Sequence, residues 1–407
     1  MIKVIKIGFL NLFIFFLLVL LFELTFGYWF DKYNFGPYMR EFRLKSNPYT
    51  IEFEGSKYNY IYLRNYHGFR GEEIKPSKIQ AIIIGGSTTD ERYKPAELTI
   101  TGHLNTKLKE QNIDLKIINA GIEGQSTIGH RYNFTKWFTK LKDFSPKYII
   151  FYVGINDTDV QLREYDENNI DNADGKIVDS NKKYAFRDTI KSSSIIYDLL
   201  RKIKHKYYVN EDKRVIYDFD YFKKNKIKKE FNFLNYEEAI NYYNINDVLN
   251  KHENRIIYYL NNIDSLYLYS KEIGAKPIFI NQLAFEGNFN EVLFALNFSL
   301  IKHCNLKQYS CIDLARSLKG KQSYWWDTMH TTPRGSKVIA DLIYPDLKLN
   351  FIKPFYNNKI YIEALSDMIR PYLDKIDKLI FSYHGIPQRH IKKGDITGSH
   401  CFKIKDC

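Results

Sequence analysis

The chain has 407 residues, an apolar fraction of 44% and a formal net charge of +13. That apolar content can bury a real core and excludes an intrinsically disordered chain, while the length allows one large domain or two ordinary ones. The positive charge invites a nucleic-acid reading, but the densest basic run, residues 223–229, has no nucleic-acid motif around it. A solvated helix face or an anionic membrane surface accounts for it better, and no nucleic-acid partner is expected.

The first element is apolar. Residues 7–30 carry one charge, Glu23. At ~1.5 Å per residue, 24 helical residues span roughly 36 Å, enough for a hydrocarbon core of ~30 Å. A cleaved signal peptide has a shorter apolar region and a small-residue cleavage site. The first alanine here is Ala81. Residues 1–30 are therefore read as an uncleaved signal anchor with the membrane as partner through residues 7–30. Lys3 and Lys6 favour an inside N-terminus and a periplasmic or extracellular body, while Lys32, Arg40, Arg43 and Lys45 argue the other way. Glu23, late in the span, can sit near an interface or meet a partner helix.

Residues 31–78 read as an irregular, aromatic-rich lead-in segment containing Arg64-Asn65-Tyr66-His67-Gly68-Phe69-Arg70-Gly71, with turn-forming glycines. Strand and helix signals then alternate. Strands are expected at 79–84, 115–119 and 148–153, and helices at 98–109 and 132–141. Residues 160–250 break the rhythm and read as an insertion or cap over the site. Helices at 253–273 and 290–303 then precede strands at 277–281 and 310–314, and a last helix covers 335–343. Such alternation predicts βαβ units and an α/β fold with a parallel sheet covered on both faces. Cys304 and Cys311 are close enough for a small disulfide loop in an exported domain; the alternative is two free buried thiols.

Four short blocks stand out. They are Gly85-Gly86-Ser87-Thr88-Thr89, the stretch 119–127 with Gly124, Gly154-Ile155-Asn156-Asp157, and Asp327-Thr328-Met329-His330. In open α/β sheets functional residues collect beyond the carboxyl ends of the strands, so the first three can converge although distant in sequence. Asp327 and His330, three apart, share a face on a helical turn, leaving one imidazole nitrogen for Asp327 and the other for Ser87. That is a nucleophile, a base and its orienting acid. The backbone N–H groups of Ser87 and Gly124 and the side-chain amide of Asn156 can serve as oxyanion donors. Each block also has a bland reading. The first can be a phosphate-binding turn, though it lacks the Lys and spacing of a P-loop. Gly154 to Asp157 can be only a turn, with Asp157 structural. Asp327 can cap a helix, and His330 can be a satisfied buried histidine. As metal ligands the last two lack a third partner, so no metal and no cofactor are expected.

In order and residues the four blocks resemble the SGNH (GDSL-like) hydrolase family over about residues 79–345, with Gly-Gly-Ser in place of the commoner Gly-Asp-Ser. The resemblance implies a flavodoxin-like three-layer α/β/α sandwich, here as a domain over 79–347. It also implies ester hydrolysis or acyl transfer without a metal, by Ser87, His330 and Asp327 with donors Ser87, Gly124 and Asn156. Residues 65–71 resemble membrane-anchored members found with surface-polysaccharide genes, which implies an acylated small molecule or carbohydrate, O-acetyl esters above all, as substrate. A non-catalytic polysaccharide-assembly protein on the same fold is an alternative. The sequence leaves the oligomeric state open.

After about residue 348 the chain changes character. Residues 352–356, 361–365, 379–387 with His384-Gly385-Ile386-Pro387, and 393–395 resemble an internal piece of ferrochelatase. The resemblance makes His384 that family's metal- and porphyrin-handling histidine, and it covers 348–407 with Cys401 and Cys407. The piece stops short of the family's second half, so no chelatase activity is expected from this chain alone, and a haem-biosynthetic role stands as the other alternative.

Overall fold

The computed structural model describes residues 2–30, 45–160, 190, 193–208, 215–216, 236–284, 290–318, 321–351 and a few positions from 363 to 371. His384, Cys401, Cys407 and most of the expected insertion lie outside the described residues.

The chain starts with helix α1 (Ile2–Phe26). Its stretch Lys6–Phe26, 21 residues at a mean hydropathy of 2.6, is long and apolar enough to cross a bilayer, a property that signal sequences share. Next comes a hairpin, β1 (Lys45–Phe53) against β2 (Ser56–Arg64), paired in register from Lys45↔Arg64 to Phe53↔Ser56. This corrects the irregular reading of the lead-in segment. Two residues make the turn, Glu54 and Gly55, both at positive φ (48° and 76°). That backbone matches the twist of paired strands, and Gly55 takes the left-handed conformation without a Cβ penalty. Along β2 alternate residues turn inward, ending in buried Tyr62 and Arg64.

The body follows. Its elements are β3 (Ala81–Gly85), α2 (Ser87–Asp90), α3 (Ile100–Glu110), β4 (Ile117–Asn119), α4 (Thr127–Lys136) and β5 (Tyr148–Val153). From the inserted region come α5 (Ile195–Tyr208), β6 (Val215–Ile216), α6 (Tyr236–Tyr242) and α7 (Ile245–Lys251). The body resumes with α8 (Glu253–Glu272), β7 (Lys276–Asn281), α9 (Glu291–Lys307), β8 (Ser310–Ile312), α10 (Leu314–Ser317) and α11 (Pro333–Phe351). Five strands, all parallel, form one sheet in the order β4-β3-β5-β7-β8. Counted within the sheet this is 2-1-3-4-5, the doubly wound flavodoxin-like order. A smaller sheet joins β2, β1 and β6.

Both faces of the five-stranded sheet are covered, which is why its strands read as unbroken apolar runs. Ile82, Ile84, Phe151 and Phe279 point to one side, against Trp137, Tyr259, Leu266 and Leu300. Ile83, Ile150, Ile278 and Ile280 point to the other, against Leu104, Leu108, Ile339 and Ile343. Burying such side chains supplies roughly 1.5–3 kcal/mol each. Cys304 at the end of α9 and Cys311 on β8 form a disulfide, Cα–Cα 6.2 Å. The helix expected at 132–141 begins earlier, at Thr127, and yields after Lys136 to a 3-10 turn over Phe138–Lys140.

Candidate active site

Strand order reverses between β3 and β5, with β4 outside β3, and that switch point is where open α/β sheets place their sites. Ser87 follows β3 directly, as the first residue of the single turn α2. The two glycines before it leave no room for a side chain. A Cβ on Gly85 would come 2.0 Å from Thr89 Oγ1 and 2.8 Å from the Tyr152 carbonyl; on Gly86 it would come 2.1 Å from Asn156 Nδ2 and 3.2 Å from the Gln125 carbonyl. The Gly-Gly pair lets the Ser87 turn pack directly on the loops after β4 and β5.

Asp327 and His330 lie in a tight turn, not on a helix as their spacing predicts. The Trp326 N–H donates to the His330 carbonyl over 2.8 Å. Asp327 Oδ1 accepts from the backbone N–H groups of Met329 (2.8 Å) and His330 (2.6 Å). The carboxylate therefore builds the turn that carries its own partner. Its other oxygen, Oδ2, lies 2.6 Å from His330 Nδ1. A carboxylate can only accept, so Nδ1 holds the hydrogen and Nε2 is the acceptor. Ser87 Oγ is 2.8 Å from Nε2. Burial raises the Asp327 carboxyl, but hydrogen bonds from the His330 ring and the two backbone donors outweigh it and hold the group below the usual carboxylate range.

The other expected residues also gather here. Asn156 sits in a 3-10 turn after β5, and its amide donates to the Gln125 carbonyl over 2.8 Å. Gly124, at φ +77°, is the residue before Gln125 and makes the bend after β4. Asp157 holds this loop from behind: the Thr127 N–H (3.0 Å) and hydroxyl (2.5 Å) both donate to its Oδ1. Burial pushes the Asp157 carboxyl up to about 6 against those hydrogen bonds. Asn262 donates to the Thr127 hydroxyl and receives Arg131. Gln282 accepts from Ile155 N–H and donates to Thr88 Oγ1, joining the Asn156 turn to α2.

Two ionic groups, the first built from the 64–71 motif, hold these turns together. Arg64, at the end of β2, pairs with Asp90 at 2.8 Å and donates to the Gly121 and Gly68 carbonyls. Arg70 donates to the carbonyls of Asp90 and Lys94. The motif around residues 64–71 is therefore a brace on the segment leaving Ser87 and on the loop leading to Gly124. The second group is Glu91–Lys94, fully buried, with Lys94 Nζ 2.6 Å from the Thr331 carbonyl and also reaching Ser336 Oγ. Glu91 accepts from the Ser336 hydroxyl and from Ile100 N–H. Burial lowers the Lys94 ammonium, and Glu91 recovers only part of that loss. This pair ties the end of the Ser87 turn to the residue after His330. Only the charges of the pair are visible in sequence; nothing there signals their burial.

Among the described residues no three His, Cys, Asp or Glu side chains gather as a metal-ligand set.

The ferrochelatase family model matches residues 313–406, so the match begins within the α/β body and continues past it. The ferrochelatase of Pseudomonas fluorescens (strain Pf0-1) is 46% identical over 63 residues, 15% of this chain and 18% of that protein. The chain thus spans about a fifth of the length of the curated relatives it matches. Among solved structures, TesA overlays with a TM-score of 0.39 at 12% identity, covering 67% of this chain and 99% of that one. A GDSL-like lipase from Bacteroides thetaiotaomicron overlays with a TM-score of 0.35 at 12% identity, covering 68% and 91%. With TM-scores this low, the fold class rests on strand order and register. The chain is similar to a GDSL-like lipase over 68% of its length and to ferrochelatases over residues 313–406.

Proposed function

We propose that this chain is a membrane-anchored serine esterase or O-acyltransferase acting on acyl esters, O-acetyl groups on cell-surface carbohydrate above all. One observation carries the reading: the unbroken relay from Asp327 through His330 to Ser87, at 2.6 and 2.8 Å. As Ser87 Oγ attacks an ester carbonyl, His330 Nε2 takes the hydroxyl proton and Asp327 stabilises the imidazolium. The oxyanion meets the backbone N–H groups of Ser87 and Gly124 and the Asn156 amide, whose second hydrogen is not needed for Gln125. His330 then returns the proton to the leaving alcohol, and water or a sugar hydroxyl resolves the acyl-enzyme. Support for the anchor comes from the length and composition of α1, and for an exported body from the Cys304–Cys311 disulfide.

The test is hydrolysis of p-nitrophenyl acetate by the detergent-solubilised chain beside Ser87→Ala, with a covalent serine-hydrolase probe in parallel. Turnover and labelling that vanish in the variant support the reading. A folded chain whose Ser87 takes no probe would instead be a binding protein of polysaccharide assembly. The match over residues 313–406 favours a second reading for the C-terminal segment, porphyrin or iron handling through His384. Porphyrin binding lost in His384→Ala would support it.

A further inference from the structure

Glu23 is the one charge in an otherwise apolar stretch, and the fold gives it a definite task. Its carboxylate accepts from the Ser194 hydroxyl (2.5 Å) and from the backbone N–H groups of Ile195 (3.2 Å) and Ile196 (3.1 Å). These are the first N–H groups of α5, which a helix cannot satisfy internally. A residue of α1 thus caps a helix 170 positions further along the chain. Trp29 Nε1 donates to the same carboxylate over 3.0 Å, and the Tyr28 N–H donates to the Ser193 carbonyl over 2.7 Å.

This latch sets the depth of α5. Glu23 stands three residues before the end of the apolar span at Phe26, about 4.5 Å along the helix axis. An element bonded there begins at the boundary of whatever hydrocarbon layer surrounds α1. The sequence of α5 suits that level. Ile195, Ile196, Leu199, Leu200 and Ile203 recur at the spacing of one helical face. Of these Leu199, Leu200 and Ile203 are 41%, 59% and 51% exposed. The same fourteen residues include Arg201, Lys202, Lys204 and Lys206 against the single acid Asp198. An apolar face combined with basic residues is the composition of helices that lie in the headgroup layer of anionic membranes.

We infer that α5 lies in the headgroup region of the same bilayer that α1 crosses, with Leu199, Leu200 and Ile203 toward the acyl chains and Glu23 as its latch. The inference rests on the anchored reading of α1. It gives the inserted region a membrane-facing base, so that the body is held at a set height rather than swinging on a single helix.

The experiment uses the full chain in vesicles of phosphatidylcholine and phosphatidylglycerol doped with a diazirine-bearing phospholipid. After irradiation the labelled peptides are mapped. Label in both 7–26 and 195–208 is the expected result. In Leu199→Ser/Leu200→Ser/Ile203→Ser the label at 195–208 should fall to background while that at 7–26 stays, and Glu23→Ala should reduce it in the same selective way. Label at 7–26 without label at 195–208 overturns the inference and leaves the anchor standing. No label at either place removes both. Unchanged labelling of the triple variant overturns the assignment of the stripe.

Discussion

The two turns that meet at the site are held by opposite means. The Ser87 turn is held by absence: Gly85 and Gly86 have no side chains, and their backbone rests against Thr89, Asn156 and the carbonyls of Tyr152 and Gln125. It grows out of β3, which is buried on both faces. The Asp327–His330 turn is held by polar groups. Asp327 fastens its own backbone, and the buried Glu91–Lys94 pair fastens Thr331 and Ser336 beside it. Sheet packing therefore places Ser87, while a buried ionic pair supports the turn that carries His330. The first kind of support tolerates no added atoms; the second tolerates no missing charge.

Removing either Ser87 or His330, the proposed nucleophile and base, should give the largest effect. Ser87→Ala and His330→Ala are each expected to cut kcat for p-nitrophenyl acetate by roughly four to six orders of magnitude, and the double variant should be little worse, since the two act as a unit. Additive losses would mean that the turns act separately. Lys94→Met tests the ionic side. It leaves Glu91 buried without its cation, and urea unfolding should show a loss of about 3–5 kcal/mol. A second change, Glu91→Leu, should recover much of that stability.

Gly86→Ala tests the packed side. Its methyl group must displace the Asn156 amide, the proposed oxyanion donor, and losing one such donor costs about 2.7–4 kcal/mol of transition-state stabilisation. A fall in kcat of roughly 10²–10³-fold with KM nearly unchanged is expected. In Asn156→Ala the added Gly86→Ala should then cost little more.

The smallest effect concerns Asp157 behind the Asn156 loop. Its folded carboxyl titrates near 6, above the ordinary 3.8. Between those values the folded state binds more protons than the unfolded one, so this group makes stability fall as pH rises from about 4 to 6. Below that window the burial penalty is absent; above it the penalty is complete, on the order of 3 kcal/mol. Asp157→Asn keeps an acceptor for both Thr127 donors without the charge. Its melting temperature relative to wild type should climb from pH 4 to pH 6 and then level off. A constant difference across that range would show that Asp157 does not titrate there.

The sheet was legible because strands buried on both faces leave a simple trace. The run at 148–153 is the strand Tyr148–Val153, and the other four lie within a few residues of their expected places. The hairpin at 45–64 was not legible. Its Glu54-Gly55 turn is less distinctive than Asn-Gly, and the inward positions of β2 are tyrosines and an arginine rather than aliphatic residues. The Asp327–His330 pair was legible as a pair but not in its geometry. Spacing by three fits a helix as well as a turn, and the choice is made by Asp327 accepting two backbone hydrogens.

The sequence by itself determined the order of α/β elements, the apolar first helix and the chemical types at the site, since each depends on local periodicity or on residue identity. Only the tertiary structure decided the strand order that brings 87, 156 and 330 to one edge, the bracing roles of Arg64, Arg70, Glu91 and Lys94, and the partner of Glu23. These are long-range choices. A buried charge looks like any other charge in a sequence until the fold shows which groups close around it, as Thr331 and Ser336 close around the Glu91–Lys94 pair from far along the chain.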